Sequence, residues 1–245
     1  MTDAPLLTQL DDGVLSLVLN RPERKNALTR GLLTALREAI DGAAADDEVR
    51  AVVISGNGAT FSSGVDLNDA AILDGPPFPE VLHGLAAAIR ALDKPVIAAV
   101  QGYAYGAGLS LALASDIRIV APNAQLCEAY IRIGRYSGGG DTVMLPRVVG
   151  TGQALRLLWS GESISGERAV AIGLADDLAD DPPAAARELA HTIASKNPTA
   201  IAITKRAVYE TASMPWADAL ARSIEFALEQ HSTVQGTTPQ GREEQ

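Results

Sequence analysis

Two glycine-rich stretches put backbone groups where they can do chemistry. Residues 101–116, "QGYAYGAGLSLALASD", follow the apolar run "KPVIAAV" and read as strand, glycine turn and helix. Residues 57–67, "NGATFSSGVDL", are a second loop rich in glycine and serine. The first N–H groups of a helix lack intrahelical acceptors and lie at the positive end of its dipole. A helix starting after Gly106 can therefore hold an electron-rich oxygen. The helix itself offers no acid or base, and its strongest polar group is Ser110. A serine hydroxyl is a poor base without an activating partner. The nearest acids downstream are Glu128 and Asp141, in "CEAYIRIGRYSGGGD" with Tyr130 and Tyr136. A tyrosine near its usual pKa of ~10 donates a proton but seldom takes one.

Each of these residues also has a structural reading. Asp141 follows three glycines, so the loop can turn its carboxylate inward, or the carboxylate can cap the helix beginning "TVMLPRVVG". On a strand, Glu128 and Tyr130 share one face, and Glu128 suits an ion pair with Arg132 or Arg135. Tyr136 fits surface packing as well as a site. His83, His191 and His231 fall in predicted helices with no metal-binding spacing, so no metal is expected. One cysteine, Cys127, excludes an internal disulfide and reads as a buried, aliphatic-like side chain.

The elements that must position these residues follow from punctuation and periodicity. "LLTQLDDGVLSLVLNRP" predicts a hairpin turning at Asp12-Gly13. Thr29 caps a helix whose Leu32, Leu33, Leu36 and Ile40 recur at helical spacing. "RAVVISG" is a buried strand, "GPPFP" (75–79) a mobile break, 80–92 a helix and 96–100 a strand. "DIRIVAP" is a strand, and "AQLCEAYIRIG" a short strand running into a loop. Helices are expected after Ser165, Pro182, Pro198 and Pro215, before a polar tail. The order is α/β with a helical C-terminal third.

Composition bounds the functions. Of 245 residues, 47% are apolar, enough for a substantial core. The formal net charge of −10 argues against nucleic acid as a partner. No apolar run is long enough to span a membrane, and no leader segment is evident. A cytoplasmic protein with neither partner is expected.

Four blocks occur in order: "LNRPERKNAL", "FSSGVDL", "KPVIAAVQGYAYGAGLSLALASDIRIVAP" and "LPRVVGTGQALRLLWSGESISGERAVAIGLAD". Together they resemble the crotonase superfamily, also called the enoyl-CoA hydratase/isomerase family, from about Leu10 to Lys205. The resemblance implies a crotonase-like ββα spiral over residues 1–197. It implies a helical trimerisation region over 198–235, a disordered tail over 236–245, and a homotrimer or dimer of trimers. It implies an acyl-CoA ligand, with coenzyme A entering as part of the thioester substrate and no tightly bound cofactor.

By family position, the N–H groups of Val65 and Ala107 would hold the thioester oxygen. One such donor aimed at a developing oxyanion contributes about 2.7–4 kcal/mol. Lys25 would lie near the CoA phosphates. The backbone around Ala27, around Ser63, Gly64, Val65, Asp66 and Leu67, and at Gly106 and Ala107 would line the rest of the ligand path. Asp66 would structure its loop. Hydratases of the family resemble one another in two glutamates that activate a water, and Ser110 and Tyr130 occupy those places here. Other branches keep an aspartate in the loop after "IG", matching about Gly138, and the nearest acid is Asp141. A decarboxylase branch keeps a tyrosine near Tyr136. Many members also carry a C-terminal basic segment that reaches CoA, a role Lys205 or another group would fill here. The expectation is thioester chemistry with catalytic candidates Val65, Ala107, Ser110, Tyr130 and Asp141, but not simple hydration by a glutamate pair. The alternative is a catalytically silent acyl-CoA binding or carrier protein.

Overall fold

The computed structural model describes residues 4–73 and 77–236. The hairpin β1 (Leu6–Asp11) and β2 (Val14–Leu19) forms about Asp12 and Gly13, both left-handed at φ 43° and 79°. That is the geometry a two-residue turn needs to match the strand twist. Thr29 then caps α1 (Arg30–Ala45), its hydroxyl accepting the Leu32 N–H at 3.1 Å; such a cap contributes ~1 kcal/mol. Leu32, Leu33, Leu36 and Ile40 are buried as their spacing predicts.

The middle of the chain alternates between two sheets. β3 (Ala51–Gly56), β4 (Val96–Val100), β6 (Ile117–Val120) and β9 (Asp177–Leu178) extend the hairpin in the order β1-β2-β3-β4-β6-β9, parallel from β2 onward. β5 (Tyr103–Tyr105), β7 (Gln125–Cys127) and β8 (Ser163–Ser165) form the second sheet in that order. Each return passes a helix: α2 (Phe78–Ala91) precedes β4, and α3 (Ala107–Ala114) follows β5. An isolated bridge between Ser62 and Ala104 brings the 57–67 loop beside β5. This is the ββα spiral, and it sets both glycine loops side by side.

α3 is short and wholly apolar except for Ser110, and all eight of its residues are buried. Its one hydroxyl must therefore find partners inside the protein. α4 (Asp141–Val149), α5 (Thr151–Ser160) and α6 (Gly166–Ala171) follow, Ser165 capping α6 through the Arg168 N–H. α7 (Pro182–Ala194) covers the outer face of the first sheet, its Ala186 and Ala190 packing with Val53, Ile97 and Ala99. α8 (Pro198–Thr211) is tied to the body by Lys205 and Tyr209, which both bond the Asp116 carboxylate, at 2.7 and 2.6 Å. α9 (Trp216–Gly236) packs on α8. Trp216, Leu220, Ile224 and Leu228 stay exposed along one stripe. Among the described residues, no helix is long and apolar enough to cross a membrane.

Three expectations need correction. Residues 129–133 form a 3-10 turn rather than a strand end, so strand alternation does not relate Glu128 to Tyr130. Asp141 is not the capping residue: it is the first residue of α4, and the capping position is Gly140. Lys205 is no substitute CoA clamp, because its ammonium is buried against Asp116 and the carbonyls of Ile89 and Lys94. The break at 75–79 lies partly, and the tail from 237 wholly, outside the described residues.

Candidate active site

A cleft of about 870 Å³ opens where the two loops meet. Gly64 and Gly106 make the meeting close. Gly64 has φ +95°, and a Cβ there would lie 2.6 Å from the Tyr105 carbonyl oxygen and 3.6 Å from the Ala107 nitrogen. Gly106 has φ 48° and ψ −118°, open to glycine alone, and turns the chain from β5 into α3. Val65 pairs with Leu28 through the carbonyl and amide of its neighbours, Gly64 and Asp66, which leaves its own N–H out of the ladder. Ala107 is the first residue of α3, so its N–H has no intrahelical acceptor. Neither N–H bonds a protein acceptor among the described residues, and both residues line the cleft. Two free donors from adjacent loops are what an oxyanion requires.

The rest of the expected set divides by position. Ser63, Gly64, Leu67, Gly106 and Tyr130 line the cleft with them. Lys25, Ala27 and Asp66 do not. Lys25 is exposed, with its ammonium 5.4 Å from the centre of the Tyr103 ring, and its carbonyl accepts the Ser63 N–H at 2.9 Å. Ala27 is buried and its carbonyl is taken by Arg21. Asp66 pairs with Arg21 at 2.9 Å and accepts the Asn68 N–H. Partial burial opposes its ionisation, but those two partners outweigh it and hold the carboxyl below its ordinary value. It ties the loop down.

Behind Tyr130 lies a buried polar chain. The Tyr130 hydroxyl is 3.2 Å from the Ser110 Oγ, and the Ser110 Oγ is 2.9 Å from the Asp141 Oδ2. Ser137, from the glycine loop, donates to the same Oδ2. Ser110 has one proton. Donating it to Asp141 leaves its lone pair for the Tyr130 O–H, so the chain reads Tyr130 to Ser110 to Asp141. Asp141 is fully buried, which raises its pKa above the ordinary 3.8 against the two serine hydrogen bonds. Tyr130 is raised too, by burial and by the Asp141 charge, and stays a phenol. Gly139 makes this closeness possible, for a Cβ there would stand 2.0 Å from the Ser110 Oγ.

One member escaped sequence reading, and a second residue was misread. Ser137 gave no signal, because a serine in a glycine loop is ordinary. Glu128 is 2% exposed, and neither of its carboxyl oxygens has a hydrogen-bond partner. It pairs with neither Arg132 nor Arg135, which corrects that expectation. Arg132 instead donates to the Gly161 carbonyl at 2.7 Å. Burial, with the Asp141 charge behind it, raises the Glu128 pKa well above the usual 4.5 and favours the neutral acid. Tyr136 is exposed on the cleft rim, its hydroxyl 2.7 Å from the Thr142 Oγ1. His83 is exposed on α2 and His191 lies 3.8 Å from Asp11, both away from this cleft. Cys127 is buried, with Sγ 3.1 Å from the Gly161 carbonyl oxygen.

Residues 9–241 match the family model described as enoyl-CoA hydratase/isomerase. The chain belongs to that family, within the crotonase superfamily. It is 40% identical over 212 residues to a probable enoyl-CoA hydratase of Mycobacterium tuberculosis, covering 85% of this chain and 83% of the relative. It is 34% identical, also over 212 residues, to the 1,2-epoxyphenylacetyl-CoA isomerase of Escherichia coli, covering 83% and 81%. Among solved structures, a putative enoyl-CoA hydratase/isomerase from Mycobacterium abscessus superposes with a TM-score of 0.87 at 31% identity, covering 92% of this chain and 91% of that one. The family acts on CoA thioesters, and this chain carries its fold.

Proposed function

We propose that the protein is an acyl-CoA isomerase-type enzyme that moves a proton on the carbons next to a thioester. The thioester oxygen sits between the N–H groups of Val65 and Ala107. As a C–H bond beside the carbonyl breaks, its proton passes to the Tyr130 oxygen. The Tyr130 proton passes to Ser110, and the Ser110 proton to Asp141. The electron pair left on carbon becomes an enolate, whose oxygen the two backbone donors stabilise. The reverse relay returns a proton to another carbon and restores the carboxylate. A raised Asp141 pKa makes it a stronger base than an ordinary carboxylate, nearer the working pH of general acid–base catalysis.

The observation that carries this reading is the single hydrogen-bonded path from the cleft wall to one buried carboxylate. It supports proton transfer better than hydration, which needs a water held by groups facing the cleft, and no glutamate lines it. The Escherichia coli relative is by name an isomerase of a CoA thioester. A silent acyl-CoA carrier is favoured by one fact, that Asp141 does not itself reach the cleft. Exchange of α-protons of an acyl-CoA into deuterated water, followed by mass spectrometry, separates the two. Exchange that Asp141→Asn abolishes without weakening binding supports the relay, and a wild type without exchange supports the carrier. We also propose that residues 198–235 serve assembly into trimers, because the apolar stripe of α9 lies uncovered on the single chain.

A further inference from the structure

We propose that the acyl group accepted by this cleft ends, at the far end from the thioester, in a carboxylate, which Arg135 binds; the proposal rests on the acyl-CoA reading above. Arg135 lines the cleft, is exposed, and its guanidinium makes no hydrogen bond or ion pair among the described residues. Arg21, Arg118, Arg156, Arg206 and Arg222 have carboxylate partners, whereas Arg135, like Arg24, Arg168 and Arg187, has none among the described residues, and of these four it is Arg135 that lines the cleft. Its place is fixed by backbone. Gly134 turns left-handed at φ 66°, and the Arg135 N–H bonds the Tyr130 carbonyl at 3.0 Å. The Arg135 main chain is thus held beside Tyr130, the residue at which the relay meets the cleft.

Around it the lining is mostly hydrocarbon: Val65, Leu67, Phe78, Leu82 and Ile133. An aliphatic chain suits that wall, and a guanidinium at its side suits a carboxylate, which it can grip through two parallel N–H donors. Among the described residues the acid in the lining, Asp69, is already committed, with its oxygens accepting the N–H groups of Arg30 and Ala71. Glu128 and Asp141 are buried and outside the lining. The other source of anionic charge in the ligand is the CoA phosphates. Two exposed cations, Arg24 and Lys25, adjoin Ser63 in the other loop, with the Lys25 ammonium 5.4 Å from the centre of the Tyr103 ring. Arg135 is therefore left for the acyl end.

The test uses two six-carbon 2-enoyl thioesters that differ only at the far end, trans-2-hexenoyl-CoA and the same chain with a carboxylate at carbon six. Binding of each, and of free CoA, is measured by calorimetry on the full chain and on Arg135→Met and Arg135→Lys. The dicarboxylic thioester should bind the wild type roughly ten- to a hundredfold tighter. Arg135→Met should erase that preference and leave hexenoyl-CoA and free CoA unchanged, and Arg135→Lys should keep part of it. Equal affinity of the two thioesters for the wild type overturns the proposal while sparing the acyl-CoA reading. So does an Arg135→Met that weakens both thioesters and free CoA alike, which would assign the arginine to the phosphates. If neither thioester nor CoA binds the wild type, the acyl-CoA reading falls and this proposal with it.

Discussion

At the residue scale the site turns on one carboxylate seen through two hydroxyls. Asp141→Asn should lower proton exchange by about 10²–10⁴-fold, the range of a well-placed acid–base group. Tyr130→Phe should do the same, since it removes the hydroxyl that links the cleft to Ser110. The pH profile carries a signature. Exchange needs Asp141 ionised, so activity should fall as pH drops through its folded pKa, with a midpoint above the ordinary 3.8. A midpoint at or below that value would contradict burial as the controlling term. Glu128 makes a separate stability prediction. Its folded pKa lies above 4.5, so its contribution to stability is complete below 4.5 and is lost as pH rises through the folded value. Glu128→Gln has no proton to lose. Melting curves of the two proteins should therefore show the variant gaining on the wild type as pH increases from about 4.5 upward, and parallel curves would refute this. The sequence displayed Ser110, Tyr130 and Asp141 but not their connection. A hydrogen-bond chain spanning residues 110, 130, 137 and 141 depends on how α3 meets the glycine loop, which no local pattern encodes.

At the element scale the glycines set the tolerances. A methyl at 139 would overlap the Ser110 hydroxyl at 2.0 Å, and one at 64 would press on the Tyr105 carbonyl at 2.6 Å. Gly64→Ala should destabilise the fold and weaken thioester binding together, because the strained loop carries the Val65 N–H. Gly139→Ala should spare binding and reduce exchange, because it displaces the relay alone. Calorimetry beside the exchange assay distinguishes the two. Elements with strong punctuation were readable: the Asp12-Gly13 hairpin, the Thr29 and Ser165 caps, and the prolines at 182 and 198. The strands β8 and β9, of three and two residues, were not. So short a run has no periodicity, and only its sheet neighbours make it a strand. The turn at 129–133 misled for a related reason: its alternating apolar residues mimic a strand, while Gly134 ends it as a 3-10 turn.

At the scale of the whole molecule, the uncovered stripe of α9 is the clearest feature. Trp216, Leu220, Ile224 and Leu228 are spaced four apart and at least half exposed, with Trp216 at 79%. Surface of this kind ordinarily meets another protein surface. Ultracentrifugation should find a trimer or its multiple at micromolar concentration. Leu220→Glu with Ile224→Glu should yield smaller species with an intact fold by circular dichroism. A wild type that sediments as a monomer would remove the assembly proposal. Overall architecture was the most legible level, because four sequence blocks in fixed order constrain it far more than any one residue does.

The contact between Gly139 and Ser110 also limits what position 110 can accept. The space a longer acid would need at position 110 is held by backbone at 139 and by a carboxylate at 141. Exchanging Ser110 for glutamate in one step would drive two carboxyl groups together in a buried place, where like charges oppose each other's ionisation. The serine, the glycine and the aspartate therefore interlock. An acid cannot be seated at position 110 of α3 by a single substitution, because room for it has to be made first in the loop.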